Sequence, residues 1–165
     1  MDAMSENSEQ SRDRLSEITL DPKSLGRTNA NIEHEREVAI FDIIDGNSFA
    51  VEGVDDGPYA LNLGIAEDRL QLNIGSVLNP ALMQYTVPLT PLKRIMKDYF
   101  IVCESYYEAV RTAPPGRIQA IDVNRRSLHD EGSQVLRERL ATKIIVDTDT
   151  ARRLFTLLCA LHWKG

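Results

Sequence analysis

The sequence predicts an α+β domain: a small antiparallel β-meander with helices packed on one face and a helix-rich C-terminal half. Three observations predict it. Apolar and polar residues alternate through Tyr59, Leu61, Leu63 and Ile65, and again through Leu70, Leu72 and Ile74, the period of half-buried strands. Leu92, Met96, Tyr99, Cys103, Tyr106 and Val110 recur in steps of four and three, the period of a helix. Strand patterns mostly precede helical ones, with one early helix, which is the α+β order.

A length of 165 residues points to one domain, here residues 14–165. Residues 1–13 hold almost nothing to bury and are expected to be a disordered tail. Leu15, Ile18 and Leu20 suit a short edge strand that Asp21-Pro22 ends. A helix over residues 30–45 follows, with Glu33, Glu35 and Glu37 at the positive end of its dipole. Ile40, Phe41, Ile43 and Ile44 supply its apolar face and Gly46 its C-cap. Residues 47–58, rich in Gly, Asp and Pro, read as a loop. Glu67-Asp68 joins the two alternating runs into a hairpin. A third strand near residues 82–89 completes the meander, and Pro80 and Pro88 put it at an edge.

Thr90 as cap and Pro91 at the first helical position open the longest helix, which runs to about Arg111. Pro114-Pro115-Gly116 stops it. Two shorter helices are expected over residues 118–128 and 133–141, then a strand over 143–147. Asp149 would cap a terminal helix ending near Trp163.

Composition narrows the function classes. The net charge is -6, so nucleic acid is not the default partner. The charge is uneven, because Lys and Arg outnumber Asp and Glu only after residue 113, and a modest basic face there keeps RNA as a minor reading. Cys103 and Cys159 form no disulfide framework and suit a reducing compartment. The first thirteen residues lack the apolar segment of a signal peptide, and the apolar run from Leu154 to Leu161 is too short to span a bilayer. A cytoplasmic protein is expected.

No motif names a reaction. Cys103 lies on the apolar helical stripe and reads as a core thiol rather than a nucleophile. Glu104 and Glu108 stand one turn apart on another face, and Arg111 can pair with Glu108. No Glu-x-x-His partner motif accompanies them, and the scattered histidines and cysteines show no zinc spacing, so neither cofactor nor metal is expected. Arg125, Arg126 and His129 are the leading candidates. They gather two guanidinium groups and an imidazole near an expected helix end, where they would bind an anion such as phosphate or simply complement the helix dipole. The terminal helix leaves little polar surface. It is either central to the core or a homo-oligomer seam through Leu154, Leu158, Leu161 and Trp163.

Several segments resemble an uncharacterised protein family of alphaproteobacteria. They are residues 34–40, 97–100, 103–109, 128–133 and 136–140, and above all the end from Asp149 to Leu157 with Leu161-His162-Trp163-Lys164-Gly165. The resemblance implies a bacterial cytoplasmic protein and brings no reaction, cofactor or catalytic residue. The leading expectation is therefore a non-enzymatic interaction or regulatory protein that self-associates. The alternative is a small enzyme or phosphate- or nucleotide-binding protein working through Arg125, Arg126 and His129, with Glu104 and Glu108 opposite.

Overall fold

The computed structural model of the chain describes residues 12–25 and 28–162. Most of the expected N-terminal tail, and Trp163, lie outside that range. Arg12 and Asp13 are already tied in: Arg12 donates to the carbonyl of Asp55 at 2.6 Å, and the carbonyl of Asp13 accepts from Phe49 N–H at 2.9 Å.

Ten elements follow in order: β1 (Leu15–Leu20), α1 (Ala30–Asp45), β2 (Phe49–Val51), β3 (Tyr59–Ala66), β4 (Arg69–Ser76), β5 (Met83–Pro88), α2 (Thr90–Thr112), α3 (Pro115–Leu140), β6 (Ile144–Val146) and α4 (Thr148–His162). The main sheet has the order β1-β3-β4-β5. The meander β3–β4–β5 is antiparallel, whereas β1 joins β3 in parallel, so the sheet is mixed. Both elements expected at edges, β1 and β5, are there. Glu67 and Asp68 turn the β3–β4 hairpin with φ of 55° and 61°, the left-handed pair that a type I′ turn requires.

Alternation decides what each face meets. Tyr59, Leu61 and Leu63 on β3 and Leu70, Leu72 and Ile74 on β4 point inward and are buried with Leu92 and Met96 of α2 and with Leu154, Phe155, Leu157 and Leu158 of α4. Each such side chain contributes on the order of 1.5–3 kcal/mol by leaving water. Helices thus cover one face of the sheet. The other face, carrying Thr19, Asn62, Asn73 and Gln84, is open.

The segment expected as a plain loop contains β2, which pairs antiparallel with β6 in a separate two-stranded sheet. Three residues surrounded by Asn, Ser, Gly and Asp are too few to show a period, and the pairing is between segments distant in sequence. Asn47, just before β2, does the work of a neighbouring strand for β1. Its Oδ1 accepts from Leu15 N–H at 2.7 Å and its Nδ2 donates to Leu15 O at 3.0 Å; the same Nδ2 reaches Ile43 O at 2.7 Å near the end of α1.

The helices depart from expectation in five ways. The expected helices over 118–128 and 133–141 are one helix, α3, of 26 residues. Gly132 sits mid-helix, and Phe155 of α4 packs on it: a Cβ there would lie 2.2 Å from the ring's Cζ. Thr90 is the first helical residue rather than a cap, since α2 begins after Leu89 with no side-chain cap. On α4 the cap is Asp147, whose Oδ1 accepts from Thr150 N–H at 2.8 Å, not Asp149. On α1 the buried residues are Ile32, Ala39 and Ile43, while Phe41 is 69% exposed and Ile44 faces solvent too. On the α2 stripe, Ala109 replaces Tyr106 and Val110 as the buried residue of the last turns.

Leu154, Leu158 and Leu161 of α4 are buried within the single chain. These three leucines belong to the core cluster of the chain itself.

Candidate functional site

The merging of two expected helices into α3 changes the setting of Arg125, Arg126 and His129. They lie mid-helix, away from any terminus, and α3's rotation of about 100° per residue sends them to different surroundings. Arg125 points toward α1 and α2. Its Nε and one terminal nitrogen donate to Asp122 Oδ1 at 3.2 and 2.7 Å, and its other nitrogen stands 3.9 Å from Glu35 Oε1. Its guanidinium carbon lies 4.1 Å from the ring centroid of Tyr106. Tyr107 completes the group by donating to Glu35 at 2.6 Å. Arg125, chiefly through its hydrogen bond, and Arg126 hold Asp122 below the usual carboxylate range. This is a partly buried ion network whose donors are largely engaged with protein.

Arg126 faces solvent and shares Asp122, at 3.0 Å. His129 turns inward. Its Nε2 is 2.8 Å from Thr156 Oγ1 and its Nδ1 is 3.4 Å from Ser133 Oγ; its ring packs 5.4 Å from Tyr99 and 5.2 Å from Phe155. Burial first, then the nearby Arg152 charge, push the imidazole down to about 4, so it is neutral at pH 7. The structure therefore does not converge these three side chains on one point. Arg126 alone of the three keeps an open solvent face, and its charge is offset by Asp122.

Glu104 and Glu108 are exposed on α2. Glu108 pairs with Arg111 at 3.0 Å, as its spacing suggested, and no ion pair joins either carboxylate to Arg125 or Arg126 among the described residues. Cys103 is buried, and burial pushes its thiol up to about 11, the state of an inert core cysteine. Among the described residues no group of three or more His, Cys, Asp or Glu side chains is gathered to hold a metal ion, and no helix is long and apolar enough to cross a membrane.

A different surface stands out: the open face of the main sheet. Thr19, Asn62, Asn73 and Gln84 face outward at paired register positions, so they form one row across all four strands. Asn62 Nδ2 donates to Thr19 Oγ1 at 2.9 Å, and Asn73 Nδ2 donates to Asn62 Oδ1 at 3.3 Å. Beside this row the facing pair Ala60 and Gly75 leaves the sheet nearly bare. The β4–β5 loop folds over at that point, with Pro80 O only 2.3 Å from where a Gly75 Cβ would stand. The result is a groove of about 630 Å³. Among the described residues that line it, Glu17 alone is charged, in a chain that is 27% charged.

The tip of that loop carries Val77 and Leu78, 90% and 87% exposed. They are not free to tuck in. Ser76 N–H donates to Asn79 O at 2.9 Å and Asn79 N–H donates to Ser76 Oγ at 3.1 Å, so the turn holds both side chains outward. Alternation places Asn62 and Asn73 opposite the inward leucines of their strands. What it could not show was that the row is continuous across strands, or that Val77 and Leu78 sit at its rim.

Residues 12–164 match UPF0262, an uncharacterised protein family. The chain belongs to this family. UPF0262 proteins of Rhodopseudomonas palustris strain TIE-1 and of Nitrobacter winogradskyi are each 50% identical to it over 155 residues, 94% of this chain and 95% and 93% of theirs. The UPF0262 protein of Xanthobacter autotrophicus is 53% identical over 153 residues, 92% of this chain and 93% of its own. No solved structure matches at a significant level. The resemblance read in the sequence is thus a full membership, and these UPF0262 proteins carry no assigned reaction to transfer.

Proposed function

We propose that this UPF0262 protein is a non-enzymatic interaction or regulatory protein of the bacterial cytoplasm, and that it engages a protein partner through the open face of its main sheet. One observation carries the reading: an almost uncharged groove on this face ends in two apolar side chains that a hydrogen-bonded turn holds in water. Depletion of charge, rather than bulk hydrophobicity, is what marks the centre of a protein interface. The side chains that would have to perform chemistry are instead engaged in the interior, Arg125 with Asp122 and Glu35, His129 with Thr156. The two free, buried cysteines fit a reducing compartment.

The test is a photo-crosslinking residue placed at position 78 of the full chain in its own cells, with position 123 as a control. Val123 is also an exposed apolar residue, on α3, at 55% exposure. The reading expects a discrete protein adduct at 78 that exceeds the adduct at 123. Equal or absent crosslinking at 78 would sink it.

A further inference from the structure

The open sheet face has a shape that says which partner fits it. Knob and groove lie on the same surface: Val77 lines one wall of the groove, and Leu78 projects beyond it. We infer that the partner is a second copy of this chain, the two copies pairing face to face about a twofold axis with Val77 and Leu78 of each seated in the groove of the other. The inference rests on the interaction reading above and names its partner.

Three features favour a second copy over an unrelated protein. A twofold interface needs one patch that is complementary to itself, and a projecting apolar tip beside a groove floored by small residues is such a patch. Ala60, Gly75 and Pro80 give the groove a floor and wall without long side chains, leaving room for a valine and a leucine. The chain carries a net charge of -6, so two copies repel unless they meet on a surface that contributes little to it. The groove on this face contributes only Glu17. The amide row adds register. Asn73 keeps its Oδ1 free and the Gln84 amide makes no hydrogen bond among the described residues, so each has capacity for the facing row.

The size of the face sets the strength. Four strands about 4.8 Å apart and six to eight residues of about 3.3 Å give a patch of roughly 20 Å on a side, below the about 800 Å² per partner of a standard interface. The dimer is therefore concentration-dependent, forming in the micromolar range, and not obligate.

Sedimentation equilibrium of the full-length protein tests this. The wild type is expected to pass from monomer to dimer with rising concentration, without weakening as salt is raised. Leu78→Asp enters both halves of a symmetric contact and is expected to raise the dissociation constant at least about a hundredfold. Because Leu78 is exposed in a turn, its circular dichroism and Tm stay at the wild-type values, which separates loss of pairing from loss of fold. Ala60→Arg, which fills the groove, should abolish pairing as well. Mixing the two variants restores one of the two knob-in-groove contacts and hence a weaker heterodimer. A wild type that stays monomeric to several hundred micromolar overturns the inference, and so does a dimer that Leu78→Asp leaves intact. A monomer that still yields a position-78 adduct of another mass in cells overturns the second-copy inference while leaving the interaction reading standing. A monomer with no such adduct removes both.

Discussion

Replacing Gly132 with alanine sets two energies against each other in one helix. Alanine is favoured over glycine in a helix interior by about 1 kcal/mol, so on propensity alone the substitution stabilises α3. The structure reverses the sign. The new Cβ would lie 2.2, 2.4 and 2.8 Å from Cζ, Cε1 and Cε2 of Phe155, where carbon atoms need about 3.5 Å. Relief requires the ring to retreat by more than about 1 Å. Phe155 is fully buried, with Tyr99 at 5.9 Å and His129 at 5.2 Å between ring centroids, so no open space receives it. Overpacking of this kind costs about 1–3 kcal/mol, and a clash this deep belongs at or above the upper end. The net loss is about 2 kcal/mol, which at a urea slope of about 2 kcal/mol/M lowers the midpoint by about 1 M. Equilibrium urea unfolding measures it. Phe155→Leu in the same chain should remove most of the penalty, giving a coupling energy above about 1 kcal/mol in a double-mutant cycle. Gly116→Ala serves as the control: it lies in the same helix with nothing within 4 Å of its Cβ position, and should be neutral or slightly stabilising. A Gly132→Ala protein as stable as wild type would refute the reasoning that Phe155 fixes this glycine.

Three further outcomes follow from the polar interior. His129 is held near a pKa of about 4 when folded against about 6.5 when unfolded, so the unfolded chain binds the proton first as pH falls. Its contribution is intact above pH 6.5 and is lost progressively toward about pH 4; the loss over this window should be on the order of 2–3 kcal/mol larger for wild type than for His129→Gln, read from urea midpoints at each pH. Arg125→Lys cannot reproduce the two hydrogen bonds to Asp122 together with the stacking on Tyr106, and should lower stability by about 1–2 kcal/mol by the same assay, despite conserved charge. Cys103 and Cys159 are both buried with raised thiol pKa, so neither should react with a thiol reagent at pH 8 on the timescale of an exposed cysteine, and both should react in denaturant.

What the sequence shows clearly is what period alone decides. The hairpin of β3 and β4, the boundaries of α1 and the long helix α2 follow from local alternation and proline placement, and they are found within a residue or so of where the pattern puts them. Where a residue answers to a distant partner, local reading misleads. Gly132 falls between the two helices expected locally, yet it lies inside α3, where Phe155, 23 positions later, needs the space. β2 has no local signal because its partner is β6, some 95 residues away. Phe41 looks like core because apolar residues cluster around it, yet the face that α1 turns inward carries Ala39 and Ile43. The candidate cluster had the same weakness. Three polar residues within five positions suggested convergence, but convergence depends on whether the segment is a helix end or a helix middle, and α3 runs unbroken through it.

The two halves of the molecule handle polarity in opposite ways, and this bears on where function sits. In the helical half, polar groups are matched: Arg125 with Asp122 and Glu35 in a partly buried network, Arg152 with Asp130 at the surface, and His129 kept neutral against Thr156 inside. A half-satisfied network of this kind would be worse than an apolar core, so its completeness ties these residues to stability and leaves them little freedom for a ligand. On the sheet face the arrangement is reversed. Charge is withheld, amide groups keep unused donors and acceptors, and two apolar side chains are held in water by a turn that gains nothing from exposing them. Exposed polar capacity without charge, next to exposed apolar surface, is costly for an isolated monomer to maintain and becomes favourable once a partner covers it. The same argument separates this face from the Val38, Phe41 and Ile44 stripe of α1, which is apolar as well but is flanked by His34, Glu37 and Asp45 on its own helix, and whose neighbouring cavity of about 260 Å³ is smaller and lined by the charged Glu35, Asp42 and Arg153. If both surfaces bind, Phe41→Ser should leave the dimer constant unchanged where Leu78→Asp raises it at least about a hundredfold, because the two patches lie on different elements and share no contact.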